Sequence, residues 1–178
     1  MKDKLRKQLK KERENFCGVQ RICADSAIAQ NFLSAYGGYE SYFVYNSFGG
    51  EADTSRIIKE LLKAGKRVYL PRVEGENMVA VPYTDKTPLT EGAFGIKEPQ
   101  GQAFRGKIDV IIIPLLAVNS NGYRIGYGKG FYDRFLKHTN SLKAGIGYSL
   151  QQREFINDCW DEPLNAFVSE KGIITFEK

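Results

Sequence analysis

The pattern of apolar and polar positions begins helically. Leu5, Leu9 and Phe16 form a thin apolar stripe in a run that is otherwise charged, with Asp3 placed to cap the helix. A second helix is predicted over residues 19–35, where Ile22, Ala27, Ile28 and Phe32 recur before "AYGGYE" breaks the period. The period then changes. "SYFVYN" at 41–46 is β-branched and aromatic and predicts a buried strand, and "SFGGEADTS" predicts a loop whose Asp53 or Thr54 caps a helix in "SRIIKELLKAG". "KRVYLP" and "MVAVPY" predict two further strands. "IDVIIIP" is a near-continuous Val/Ile run of the kind found in strands covered on both faces of a parallel sheet. Past it, "NGYRIGYGKGFYDRFL" at 121–136 predicts a glycine-rich loop entering a helix near 130–138. A strand in "KAGIGYS", a proline-containing loop in "WDEPLNAFVSE" and a closing strand in "GIITF" complete the pattern.

Strands alternating with helices predict an α/β fold: a three-layer α/β/α, Rossmann-like domain with a mostly parallel sheet. At 178 residues the chain fits one domain spanning 1–178. In such sheets ligands sit beyond the carboxyl ends of the strands. The glycine loop after "IDVIIIP" and the loop after "SYFVYN", which holds Glu51 and Asp53, should therefore open on one edge.

Composition narrows the function. The chain is 42% apolar and 26% charged, a balance that predicts a packed core. Its longest apolar stretch, "VIIIPLLAV", is nine residues with a proline inside, against about 20 needed to span a bilayer. The charged N-terminal run is followed by no apolar region of the secretory type, so the expected location is the cytoplasm, with no membrane partner. Cys17, Cys23 and Cys159 form no CxxC pair and are expected to be ordinary reduced thiols. The net charge of +5 favours anionic partners. Most of it lies in the first fifteen residues, where seven cations face three carboxylates, and a solvated helix face accounts for such a run.

The glycine loop carries the most specific chemistry. Gly126, Gly128 and Gly130 let backbone N–H groups approach an anion closely, and a helix that follows adds its positive end. Lys129 supplies a point charge, Arg124 a fork for phosphate oxygens, and Asp133 a carboxylate able to reach a divalent cation shared with them. The spacing is GxGxG, neither the Walker sequence nor the dinucleotide GxGxxG. Histidine chemistry would depend on His138 alone, and the cysteines lack the spacing of zinc ligands. The basic first helix and ten tyrosines raise nucleic-acid binding as the rival reading, and a sugar-phosphate or CoA-type enzyme as a second.

"GYRIGYGKGFYD" resembles the G-x-R-[LI]-G-x-G-x-G-[YF]-Y-D signature of the 5-formyltetrahydrofolate cyclo-ligases, also called methenyltetrahydrofolate synthetases. The likeness runs along the chain through Lys2 and Arg6 as a K-x-x-x-R element, "GGEADT", "LPR", "GIKEP" and "WDEPLNAFVSEKG". It implies ATP- and magnesium-dependent closure of 5-formyltetrahydrofolate to 5,10-methenyltetrahydrofolate through a phosphorylated formyl (imidate) intermediate, with ADP and phosphate released. The implied ATP ligands are Lys2, Arg6, Arg124, Gly126, Tyr127, Gly128, Lys129, Gly130, Tyr132 and Asp133. Arg124, Lys129 and Asp133 would carry the catalysis, and Asp133 would hold Mg2+. Phe48, Glu51, Met78 and Tyr132 would meet the folate. The implied partners are these small molecules and no nucleic acid, on a monomer. Two positions depart from the family pattern: Asn119 stands where many relatives have a carboxylate, and Trp160 where a histidine is common.

Overall fold

The computed structural model describes residues 2–177, and for Lys2 the backbone alone. In chain order the elements are α1 (Lys2–Asn15), α2 (Gly18–Tyr36), β1 (Ser41–Phe43), α3 (Ser55–Lys63), β2 (Arg67–Glu74), β3 (Asn77–Tyr83), β4 (Leu89–Glu91), β5 (Lys97–Pro99), β6 (Val110–Pro114), β7 (Ala117–Val118), β8 (Arg124–Ile125), α4 (Phe131–Leu136), β9 (Leu142–Ile146), β10 (Ala166–Ser169) and β11 (Gly172–Thr175). Seven strands form one sheet in the order β11-β10-β9-β6-β1-β2-β3. The five inner strands are parallel, and β3 and β11 run antiparallel at the two edges.

The Val/Ile run of β6 lies at the middle of this sheet, and all five of its residues are buried. Its side chains alternate between faces as the strand period requires. Val110 and Ile112 pack with Ile28 and Phe32 of α2 and Ile57 and Leu61 of α3. Ile111 and Ile113 pack with Leu136 of α4 on the other face. The expected three-layer architecture follows from that alternation. The first helix belongs to neither layer: Leu9 is buried against Leu116, Ala117 and Ile125, just beyond the end of β6.

Several local expectations are corrected. Helix α1 begins at Lys2, so Asp3 sits inside the first turn and pairs with Arg6 at 2.7 Å where a cap was expected. Ile22 is 69% exposed, because α2 turns its Ala24–Ile28–Phe32 face to the sheet. Only Ser41–Phe43 of the predicted 41–46 strand is laddered. Tyr45 is buried but leaves the sheet, its hydroxyl donating to the Ala52 carbonyl and its own carbonyl accepting from Thr54. The "AFVS" segment, expected to be loop, is the fully buried strand β10. Three apolar residues and a serine behind a polar, proline-containing stretch are too short to show a period.

The two consecutive strands expected in "KRVYLP" and "MVAVPY" form an antiparallel hairpin, because Gly75, at φ 61°, lets the chain reverse in two residues. Among the described residues no helix is long and apolar enough to cross a membrane. Because Ile112 is completely buried at the sheet centre, Ile112→Ala should lower the unfolding free energy by about 2–5 kcal/mol in urea titration. A loss below about 1 kcal/mol would contradict the central placement of β6.

Candidate functional site

Beyond the carboxyl ends of β1 and β6 the structure opens into a cleft of about 500 Å³, lined on one side by the loop after β1 and on the other by the glycine loop. The small β7–β8 hairpin, with Val118 opposite Arg124, delivers the glycine loop to the cleft. Gly128 and Gly130 have φ of 89° and 71°, which only glycine adopts readily. A Cβ on Gly128 would also lie 3.1 Å from the Arg6 guanidinium. Arg6 rests on the loop, its Nε donating to the Gly126 carbonyl at 3.1 Å. Arg6 thus joins the glycine loop as the resemblance implies, while the side chain of Lys2 lies outside the described residues.

Arg124 and Asp133 meet directly. Arg124 Nη2 donates to Asp133 Oδ1 at 2.6 Å, and Nη1 to the Glu162 carbonyl at 2.9 Å, with the arginine side chain 4% exposed. The cation expected to hold phosphate and the carboxylate expected to hold a metal shared with it are bonded to each other. Lys129 is exposed, with its ammonium 5.5 Å from the centre of the Phe94 ring. Helix α4 has six residues and starts from a left-handed Gly130, shorter than the predicted 130–138. His138 is exposed just past its end and lies outside the cleft lining.

The other wall is more apolar. Phe48 is 52% exposed and Met78 is 8% exposed, and both line the cleft with Tyr132. The Tyr132 ring stands edge-on to Phe43. Burial, then the nearby Glu51, pushes its phenol well above the ordinary tyrosine value. Glu51 itself is 7% exposed, and Oε2 accepts the Phe48 N–H at 2.8 Å. Burial raises the Glu51 carboxyl above its usual range, opposed by the Phe48 N–H, the Tyr127 hydroxyl and Arg13. Asp53 does not face the cleft: it accepts the Ser55 N–H and O–H at the start of α3.

Sequence reasoning missed Arg13, Lys10 and Asp161, all of which line the cleft. Arg13 is 2% exposed. Its Nη2 donates to the Tyr127 hydroxyl at 2.6 Å and Nη1 to the Leu115 carbonyl at 3.3 Å, while Nε is buried with no hydrogen-bond partner. Burial and the nearby Glu51 push the Tyr127 phenol upward, and Arg13 draws it back. A usable signal was present. Residues 6, 10 and 13 share one helical face, and two of the three straddle Leu9, the best-buried residue of the apolar stripe.

The two departures from the family pattern lie outside the cleft lining. Asn119 is a turn organiser: Oδ1 accepts the N–H groups of Asn121 and Tyr123, and Nδ2 donates to the Phe155 carbonyl. A carboxylate could make the first two bonds but not the third. Trp160 is 63% exposed. Among the described residues no group of three or more His, Cys, Asp or Glu is arranged to hold a metal ion by itself.

Residues 1–170 match the model of the 5-formyltetrahydrofolate cyclo-ligase family. A 5-formyltetrahydrofolate cyclo-ligase of Haemophilus influenzae is 30% identical over 176 residues, covering 92% of this chain and 94% of its own. The cyclo-ligase of Escherichia coli strain K12 is 36% identical over 141 residues, covering 73% and 78%. The structure of a 5,10-methenyltetrahydrofolate synthetase of Aquifex aeolicus superposes with a TM-score of 0.88 at 33% identity, covering 99% of this chain and 93% of that one.

The raised carboxyl of Glu51 makes a stability prediction with a definite sign. Its contribution is fully present below the ordinary carboxylate value of 4.5 and is lost as pH rises through the elevated folded value, because the fold must then hold a buried charge. Glu51→Gln keeps an acceptor for Phe48 and removes that charge. The variant should gain stability relative to the parent as pH rises above the ordinary carboxylate value of 4.5 in urea titrations. A difference that does not change with pH would contradict it.

Proposed function

Because the chain belongs to the 5-formyltetrahydrofolate cyclo-ligase family, we propose that its cleft closes 5-formyltetrahydrofolate to 5,10-methenyltetrahydrofolate with ATP as co-substrate, releasing ADP and phosphate. The observation that carries this reading is the convergence of two unlike walls on one cleft. Glu51, Phe48 and Met78 form one, and Arg6 with the glycine loop forms the other. A pterin needs a flat apolar slot with a few polar groups, and a triphosphate needs cations and backbone donors.

The formyl oxygen attacks the γ-phosphorus and ADP leaves. The resulting O-phosphorylated imidate carbon is attacked by the second folate nitrogen, the carbon–oxygen bond breaks, and phosphate departs with that oxygen and with the proton that the nitrogen gives up. An amide oxygen leaves poorly and a phosphate leaves well. No protein nucleophile is needed, so catalysis rests on positioning and charge. Glu51 accepts hydrogen bonds from the pterin, and Tyr132, Phe48 and Met78 exclude water from the ring. Arg6, Tyr127, Lys129 and the amides of Gly126, Gly128 and Gly130 hold the phosphates. Arg124 places a buried positive charge beneath them.

Magnesium fits this donor set only as an ion shared with the triphosphate, since it keeps water and phosphate ligands and asks for one or two carboxylates. Asp133, held in place by Arg124, would supply one. When bound, magnesium would neutralise charge developing on the phosphate oxygens. Against the nucleic-acid reading, Arg6, Lys10 and Arg13 face the cleft, not a groove-sized surface.

The purified protein incubated with 5-formyltetrahydrofolate, magnesium and ATP should form the methenyl product, followed by its near-ultraviolet absorbance, and form none with ATP omitted. Folded protein that binds ATP yet forms no product would overturn the assignment. Lys129→Met should lower kcat/KM by about 10- to 150-fold, the worth of one charge-assisted contact, with the fold intact. An unchanged kcat/KM would remove Lys129 from the mechanism.

A further inference from the structure

The loop that carries Glu51 is held from outside the cleft by groups that the proposed mechanism does not use. Arg21 and Asp25, one turn apart on α2, face it. Arg21 Nη2 donates to the carbonyls of Gly49 at 3.0 Å and of Glu51 at 2.9 Å. Arg21 Nε donates to the Tyr148 hydroxyl at 3.0 Å, and that hydroxyl donates to Asp25 Oδ1 at 2.7 Å. The same carboxylate oxygen accepts the Asp53 N–H at 3.1 Å. Residues 49, 51 and 53 are thus tied through their backbones to a single ion pair, whose charges are 3.8 Å apart.

The residues between them are fixed from the opposite side. Gly50 lies against Arg13, where a Cβ would come within 3.2 Å of Nε, and the Ala52 carbonyl accepts the Tyr45 hydroxyl. Tyr148 anchors the assembly, being wholly buried with its ring 4.7 Å from Phe16. Gly49 stands at φ 58° beside the point where Arg21 grips the loop. A loop of this length holds a carboxylate at one position only if its backbone is restrained on both sides.

We propose that Arg21, working with Asp25 and Tyr148, is a positioning residue for folate: it fixes the Glu51 loop, and through it the Glu51 carboxylate, without touching substrate. This inference rests on the reading that Glu51 meets the pterin. It makes the folate half of the cleft dependent on α2, while the phosphate half depends on α1 and the β7–β8 hairpin. The two halves are therefore separable by mutation.

The test is steady-state kinetics on the full-length protein, varying 5-formyltetrahydrofolate and Mg-ATP in turn. Arg21→Ala should raise KM for the folate about tenfold, the size of one lost charge-assisted hydrogen bond, and leave KM for ATP within about twofold. Arg21→Lys, which keeps the charge without the fork, should recover part of the loss. In a Glu51→Gln background, Arg21→Ala should add little, because the residue it positions is already altered.

A folate KM unchanged in Arg21→Ala, an equal rise in both KM values, or a full additional loss in the Glu51→Gln background would overturn the proposal. Hydrogen exchange decides the structural step without turnover. Arg21→Ala should speed exchange at amides 48–53 about tenfold or more and leave those of β6 unaffected. Unchanged protection there would overturn the clamp whether or not the chain is a cyclo-ligase. A parent protein that shows the exchange effect but no ATP-dependent product would instead overturn the folate assignment alone.

Discussion

The burial of Arg13 organises the rest of the site. A guanidinium withdrawn from water is costly unless its donors are met and a counter-charge is near. Here the Leu115 carbonyl and the Tyr127 hydroxyl take two of its nitrogens, Nε stays unpaired, the Tyr127 ring lies 5.5 Å away, and Glu51 sits close enough for Arg13 to oppose the upward push that burial gives its carboxyl. Together with Leu9, buried on the same helix, this contact lays α1 across the ends of the parallel strands. A helix that composition alone would leave in solvent becomes a wall of the cleft, and its basic face is divided. Arg6, Lys10 and Arg13 line the cleft, Lys10 at its exposed rim, while Lys4, Lys7 and Lys11 lie outside it.

The parallel sheet supplies the second constraint. Strands β1 and β6 are neighbours, so the loops leaving their carboxyl ends face each other without any further device. One loop brings a buried carboxylate and apolar side chains, the other glycines and cations. In the proposed reaction this contrast is useful. An apolar wall lowers the local dielectric beside a phosphate site, and fixed charges act more strongly there than in water. Arg124 and Asp133 meet in the lining of the cleft as a bonded pair of opposite charges.

Much of this was legible in the chain, where one residue type at one spacing admits one explanation. The β6 run, β-branched and nearly continuous, matched a strand covered on both faces. The alternating glycines of 126–130 announced a loop that needs left-handed backbone, and two of the three adopt it. What was not legible depended on distant partners. The helical face shared by residues 6, 10 and 13 groups Arg13 with Arg6, but its burial could not be read locally, since the tyrosine and carbonyl that accept it lie over a hundred residues away. The β10 strand is too short to show a period, and the antiparallel edges follow from turns. Arg124 and Asp133 were each assigned to a ligand because the sequence shows their charges but not that they bond one another.

The central claim is that one cleft brings the formyl oxygen of the folate against the γ-phosphorus of ATP. Oxygen-isotope transfer tests it most directly: 5-formyltetrahydrofolate labelled with heavy oxygen in the formyl group is turned over with unlabelled ATP, and the released phosphate is weighed. Direct transfer places the label in inorganic phosphate, one atom for each methenyl product formed. Label released to water, with unlabelled phosphate, would contradict direct phosphorylation and the shared cleft with it.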